Sequence, residues 1–279
     1  MKLSSGLVIP RGPTVRAIIL FAIFFCVVCL AGLNSPRAQS PPVSTENHTL
    51  RIGEILNYRI AWRRFTGAAT AQLQIVDRRE FFGAASWHFR AALHTAAPLR
   101  VFYPLDDEID SYALPAGLAT REYQQHFREF GQPEDTSAAL VVAGQTSTSP
   151  LPRVIVPPGT RDALSAIYFL RLADWHGVPE VRTPVFDDQN VYTMTATREK
   201  TELVQIAAGN FKATRISIRL LDGTREIQDE HFTIWLANDP AQTPILCEAY
   251  LPIGALRIEL VSDSAWPAPS KTKAALPAN

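Results

Sequence analysis

Glu54-Ile55-Leu56-Asn57-Tyr58-Arg59-Ile60-Ala61-Trp62-Arg63 and, shortly after, Gly67-Ala68-Ala69-Thr70-Ala71-Gln72-Leu73-Gln74-Ile75-Val76-Asp77 decide the fold class. In the first stretch Leu56, Tyr58, Ile60 and Trp62 alternate with Ile55, Asn57 and Arg59. In the second, Ala69, Ala71, Leu73 and Ile75 alternate with Thr70, Gln72 and Gln74. A period of two places each set on one face of a β-strand. Phe65-Thr66-Gly67 is short enough to join the two as an antiparallel hairpin.

The same period runs outward. Residues 86–95 carry Trp87, Phe89, Ala91 and Leu93 on one face, after a turn at Gly83. Further strands are expected near residues 100–112, 118–130 and 137–143. The second half repeats the style over 191–199, 202–208, 211–221, 226–236, 245–251 and 254–261, punctuated by Ala208-Gly209-Asn210 and Ala237-Asn238-Asp239-Pro240. One segment departs from it. Leu164, Ile167, Tyr168, Arg171 and Leu172 follow helical spacing, Thr160 or Asp162 can cap the first turn, and Gly177 and Pro179 mark a stop. The expected fold is mainly β: an antiparallel curled sheet or barrel-like domain, with one main amphipathic helix on its concave face.

The first 40 residues have another character. Arg11 and Arg16 precede the uncharged run from Ala17 to Leu33, Pro36 breaks it, and Ala38-Gln39-Ser40 offers small residues. That order predicts a secretory signal peptide over 1–40. A run of this length also sits at the short limit of a membrane span, so an uncleaved N-terminal anchor is the alternative. Residues 41–50 read as a linker, 51–262 as a single β-rich domain, and 263–279, rich in Ala, Pro, Ser and Lys, as a disordered tail. The expected location is periplasmic.

The full chain balances 27 Lys and Arg against 27 Asp and Glu. The leader holds four of the bases (Lys2, Arg11, Arg16, Arg37) and none of the acids, so its removal leaves a net charge of −4. No basic excess drives phosphate contacts, which argues against nucleic acid as a partner. Of the 3 cysteines, Cys26 and Cys29 lie in the leader's apolar run, and Cys247 alone follows it. A single thiol forms no intramolecular disulfide, and its strand context favours a buried structural residue.

Several segments together carry a resemblance. They are Gly53-Glu54-Ile55-Leu56-Asn57-Tyr58, Val101-Phe102-Tyr103-Pro104-Leu105-Asp106-Asp107-Glu108-Ile109-Asp110 and Pro158-Gly159-Thr160-Arg161-Asp162-Ala163-Leu164-Ser165-Ala166-Ile167-Tyr168-Phe169-Leu170-Arg171. Gly209-Asn210-Phe211-Lys212-Ala213 and Ile234-Trp235-Leu236-Ala237-Asn238-Asp239 follow in order. From about Leu50 to Val261 the chain resembles the bacterial family called domain of unknown function 3108. The resemblance implies an exported envelope protein of a Gram-negative bacterium. It brings no activity and no catalytic residue.

Candidate chemistry is sparse. Asp106, Glu108 and Asp110 share one strand face, expected in solvent, while Asp107 falls on the apolar face with Leu105 and Ile109. A buried Asp107 needs a partner such as an arginine, or contacts a ligand. Calcium-loop spacing is absent around these acids. The histidines at 48, 88, 94, 126, 176 and 231 lack metal spacing, and His88 and His94 alternate away from the apolar face, so both are expected at the surface. Ser165 has no lysine at the spacing a serine site needs and reads as a helix-face serine. No nucleophile elbow, phosphate loop or dinucleotide glycine motif occurs. No cofactor, metal or catalytic residue is therefore expected. Aromatic strand positions can line a cavity, and the candidate ligand-binding residues are Tyr58, Trp62, Tyr103 and Asp107. Three functions compete. The first is a non-enzymatic envelope protein binding a lipid or glycan in a concavity of several hundred Å3, the usual size for small-ligand sites. The second is a structural or interaction protein with a filled core and an envelope protein as partner. An unrecognised hydrolase is third. Oligomeric state is left open.

Overall fold

The computed structural model describes residues 50–187, 190–228, 230–252 and 254–261. The expected leader, the linker except Leu50, and the expected tail beyond residue 262 lie outside them.

The alternating stretches form strands of a single 15-stranded sheet. In chain order these are β1 (Ile55–Trp62), β2 (Phe65–Phe81), β3 (Ala84–Thr95), β4 (Asp106–Ala113), β5 (Thr120–Glu129), β6 (Gln132–Val142), β7 (Arg153–Val156), β8 (Arg161–Asp162), β9 (Glu180–Phe186), β10 (Val191–Ile206), β11 (Gly209–Asp222), β12 (Arg225–Glu226), β13 (His231–Ala237), β14 (Pro244–Leu251) and β15 (Gly254–Leu260). Among the described residues, the helices are α1 (Leu99–Phe102) and α2 (Ala163–Leu172). The strands lie in the order β7-β6-β5-β4-β3-β2-β1-β15-β14-β13-β11-β10-β9-β8, with β12 paired to β11. All pairs are antiparallel except β6 with β7 and β8 with β9.

Side-chain size lets this sheet curl. Along the concave face Ala69 faces Ile60, Ala71 faces both Tyr58 and Leu93, and Ala91 faces Leu73. Small residues opposite large ones let neighbouring strands rotate inward without collision, as barrels require. The curl brings the sheet's two ends together without closing them. The amide of Thr120 on β5 donates to the Thr160 carbonyl before β8 at 2.9 Å, and the Tyr123 ring on β5 meets Phe186 on β9 edge-on at 5.6 Å. The fold is thus mainly β and barrel-like.

Helix α2 occupies the concavity. Tyr168 stacks on Phe89 of β3 at 4.0 Å, and Leu164, Ala166, Phe169 and Leu170 are buried with it. The enclosure is more complete than the helical pattern implies. Eight of its ten residues are buried, including the polar Ser165 and Arg171, while Ile167 and Leu172 are half-buried. Polar positions that look solvent-facing in sequence are enclosed because distant residues supply their hydrogen bonds.

Other boundaries shift for local reasons. Trp62 pairs directly with Phe65, so the first hairpin turns at Arg63-Arg64, with Arg63 at φ 52, and Phe65 already belongs to β2. The strand expected from residue 100 starts only at Asp106, because α1 intervenes. The two strands expected over 191–199 and 202–208 are one, β10, with a register irregularity between Arg198 and Lys200 that breaks the visible alternation. Strands β7 and β9 had no sequence expectation. The first is four residues long, and the second carries Pro184.

Candidate functional site

Two polar networks fix α2 inside the sheet. At its N-terminus Asp162 is the cap. One carboxylate oxygen accepts the amides of Leu164 at 2.8 Å and Ser165 at 2.9 Å. The other accepts the hydroxyls of Thr120, at 2.7 Å, and Ser111. Burial raises the Asp162 pKa, and these hydrogen bonds oppose that rise. Arg161 beside it is buried too. Its guanidinium lies 3.6 Å above the Phe169 ring and donates to the carbonyl of Gly159 at 2.9 Å, to the carbonyl of Gly117 and to the Thr183 hydroxyl. With those neutral acceptors, burial pulls its pKa down to about 9. Together Arg161 and Asp162 stitch the seam where the sheet's ends meet.

At the C-terminus Arg171 is fully buried. It donates to both carboxylate oxygens of Glu54, at 2.6 and 2.9 Å, and to the Ala241 carbonyl at 3.1 Å. Burial opposes its charge, but the bidentate Glu54 holds its pKa above the ordinary value. Gln242, from the β13–β14 loop, donates to the carbonyls of Arg171 and Ala173, both at 2.8 Å. The helix therefore ends at Leu172, before Gly177, because a residue some 70 positions away caps it.

Between α2 and the sheet lies a small, half-open, almost wholly apolar cavity of about 50 Å3. Ile167 and Leu170 of the helix face Tyr58, Leu73, Phe232 and Ile258 across it, and Cys247 also lines it. This cavity is far smaller than the several hundred Å3 expected. The cause is α2, whose side chains fill the space the curled sheet encloses. Tyr58 turns its hydroxyl to the Pro244 carbonyl at 2.9 Å, and burial raises its pKa well above the ordinary value. Burial likewise pushes the Cys247 thiol up to about 12, which keeps it protonated at neutral pH.

Of the four candidate ligand residues, only Tyr58 lines this cavity. Trp62 is half-buried at the first hairpin and stacks on Phe65 at 6.3 Å. The Tyr103 hydroxyl donates to Glu129 at 3.4 Å, and its ring meets Phe130 edge-on at 4.8 Å. Asp107 is 1% exposed and accepts the Arg128 amide at 2.8 Å. Its second oxygen has no hydrogen-bond partner, so the expected arginine ion pair does not form. Burial first, with the Glu129 carboxylate adding, lifts its pKa to about 7.

Two surface expectations are also corrected. His88 and Asp110 are both buried on the convex face, joined at 2.5 Å, with Arg90 reaching Asp110 at 2.9 Å and Tyr112 stacked on the imidazole at 4.6 Å. Aromatic cover from Phe81 and Tyr112 removes them from water. Asp106 and Glu108 are partly exposed, and Arg100 beside Asp106 lowers that carboxyl to about 2. Arg161, Asp162, Glu54 and Gln242 were not singled out as a network from sequence. Sequence offered Asp162 as a possible helix cap, and Arg161 only as a member of the motif around residues 158–171.

A barrel-like, unclosed antiparallel sheet wrapped around one pinned helix defines the class of protein. Within that class the chain belongs to the family described as protein of unknown function (DUF3108), whose model matches residues 57–261. No curated protein matches the chain. Among solved structures it is similar to a β-barrel-like protein of domain of unknown function DUF1849 from Brucella abortus, with 12% identity, covering 75% of this chain and 95% of that one, TM-score 0.49. It is also similar to a protein described as exported, with a YmcC-like fold, from Bacteroides fragilis, with 11% identity, 77% and 97% covered, TM-score 0.33. A third is described as a lipoprotein from Parabacteroides distasonis, with 10% identity, 77% and 96% covered, TM-score 0.35. Among the described residues, no helix is long and apolar enough to cross a membrane, and no cluster of three His, Cys, Asp or Glu has metal-site geometry.

Proposed function

We propose that this is an exported envelope protein of a Gram-negative bacterium, acting without catalysis as a structural or interaction protein through its surface. One observation carries this reading: the concavity is occupied by α2, which is pinned at both ends by buried polar networks, and the cavity beside it among the described residues holds only about 50 Å3. Small-ligand sites usually offer about 300–1,000 Å3. The leader order of residues 11–40 supports export. The carrier of a lipid or glycan remains the second reading, favoured by the apolar lining and the Tyr58 hydroxyl at its wall. Titration with a fluorescent fatty-acid analogue separates them. The interaction reading expects no saturable binding. Stoichiometric binding that Ala71→Leu abolishes, by filling the cavity, would establish the carrier.

A further inference from the structure

Consecutive antiparallel strands return their connections to alternate ends of a sheet. The anchors of α2, at Glu54, Ser111, Thr120 and Gln242, gather at one end. The β1–β2, β3–β4 and β5–β6 connections stand at the other. Backbone hydrogen bonds hold these three tips side by side: the Ala96 amide to the Ala68 carbonyl at 2.9 Å, and the Phe130 amide to the Pro104 carbonyl at 3.0 Å.

The tips present apolar side chains to solvent. Val101 and Phe102 of α1 are each 77% exposed, Phe130 is 53% exposed and Phe65 is 37% exposed. Their order in neighbouring connections makes this a cluster rather than scattered surface residues. Phe130 sits at φ 52 in a two-residue turn with Gly131, where a bulky side chain is disfavoured and Asn, Asp or Gly is usual. Turn chemistry therefore does not account for a phenylalanine there.

Cations surround these side chains. Arg63 lies 5.6 Å over the Trp62 ring, and Arg100 binds Asp106 at 2.6 Å. Arg64 and Arg128 are exposed and have no carboxylate partner among the described residues. Asp106 is committed to Arg100 and Glu129 is buried, while the exposed Glu134 and Asp135 stand further along β6, Asp135 against His126, so Arg64 and Arg128 are the exposed guanidiniums left available nearest the tips.

We propose that this end of the sheet docks onto an anionic lipid surface. Convex tips, each led by one or two apolar side chains, suit the boundary between headgroups and acyl chains, where aromatic rings also prefer to lie. The uncommitted guanidiniums at the same level suit lipid phosphates. Trp62 and Tyr103, half-buried behind Phe65 and Phe130, support the inserting rings from below. Under this reading the surface action proposed above is exerted on a membrane.

The test is flotation of the exported chain with vesicles of phosphatidylglycerol and phosphatidylethanolamine, against pure phosphatidylcholine. Binding is expected to favour the anionic vesicles and to weaken in high salt. The exposed double substitution Val101→Asp with Phe102→Asp should reduce it about tenfold or more, with thermal unfolding unchanged. Arg64→Glu with Arg128→Glu should remove the preference for anionic lipid. Binding that is identical in all variants would overturn the proposal, since it would then arise elsewhere in the chain. No flotation, with tip-dependent capture by an envelope protein instead, would overturn it in favour of a protein partner. Neither outcome bears on whether the interior is filled, which the fatty-acid titration alone decides.

Discussion

Asp107→Asn is expected to change sign with pH. In the folded protein this carboxyl titrates near 7, against an ordinary value of 3.8. The folded state therefore holds the proton more tightly than the unfolded chain. The stability this group contributes is complete below about pH 3.8 and is lost as pH rises through 7. Each unit is worth about 1.4 kcal/mol, so the full loss has a ceiling of about 4 kcal/mol at pH 8. The residue sits near an end of the sheet, and we expect roughly 2–4 kcal/mol. Asparagine never ionises. It keeps an oxygen for the Arg128 amide but points its NH2 where the second carboxylate oxygen has no partner, at a cost of about 1–3 kcal/mol that is independent of pH. Urea unfolding of both proteins at pH 4 and pH 8 isolates the effect, because the other carboxyls cancel in the difference. Relative to the parent, the variant should gain roughly 2–4 kcal/mol between those pH values. A constant difference, or a variant that loses ground at pH 8, would refute the reasoning and mean that a cation stabilises the ionised form.

Further predictions concern the helix and the cavity. Leu164→Ala should destabilise by about 2–5 kcal/mol in urea unfolding, since this leucine is buried against the sheet; a loss below about 0.5 kcal/mol, the range of surface sites, would show otherwise. Glu54→Gln strands the buried Arg171 cation and should cost about 3–5 kcal/mol, and exchange of the α2 amides followed by mass spectrometry should quicken. Cys247, protonated at neutral pH, should react with a thiol reagent far more slowly in the folded protein than in urea; equal rates would place the thiol in solvent.

The fold class was legible because it rests on local alternation. Leu56, Tyr58, Ile60, Ala69, Ala71, Leu73 and Ile75 are buried where period two places them. The Asp162 cap was legible for a similar reason, since it serves amides two and three residues away. Long-range closure was not. Arg171 finds Glu54 across 117 positions and Gln242 across 71, so no window of sequence indicates that the polar side of the helix is enclosed. His88 and Asp110 alternate as surface residues should, yet Phe81 and Tyr112 cover them on the convex face. Asp107 was placed correctly on the apolar face, but its partner is a backbone amide rather than a side chain. The aromatics expected to line a cavity divide: Tyr58 faces the apolar space beside α2, whereas Trp62 and Tyr103 back the exposed tips.

The central claim is that α2 fills the concavity, so that the protein works by its surface and carries nothing inside. Native mass spectrometry of the protein purified from its own envelope, with solvent extraction of anything bound, tests this most directly. The account predicts the mass of the polypeptide alone after mild detergent removal. A lipid or glycan retained at one equivalent, and released only on unfolding, would contradict it.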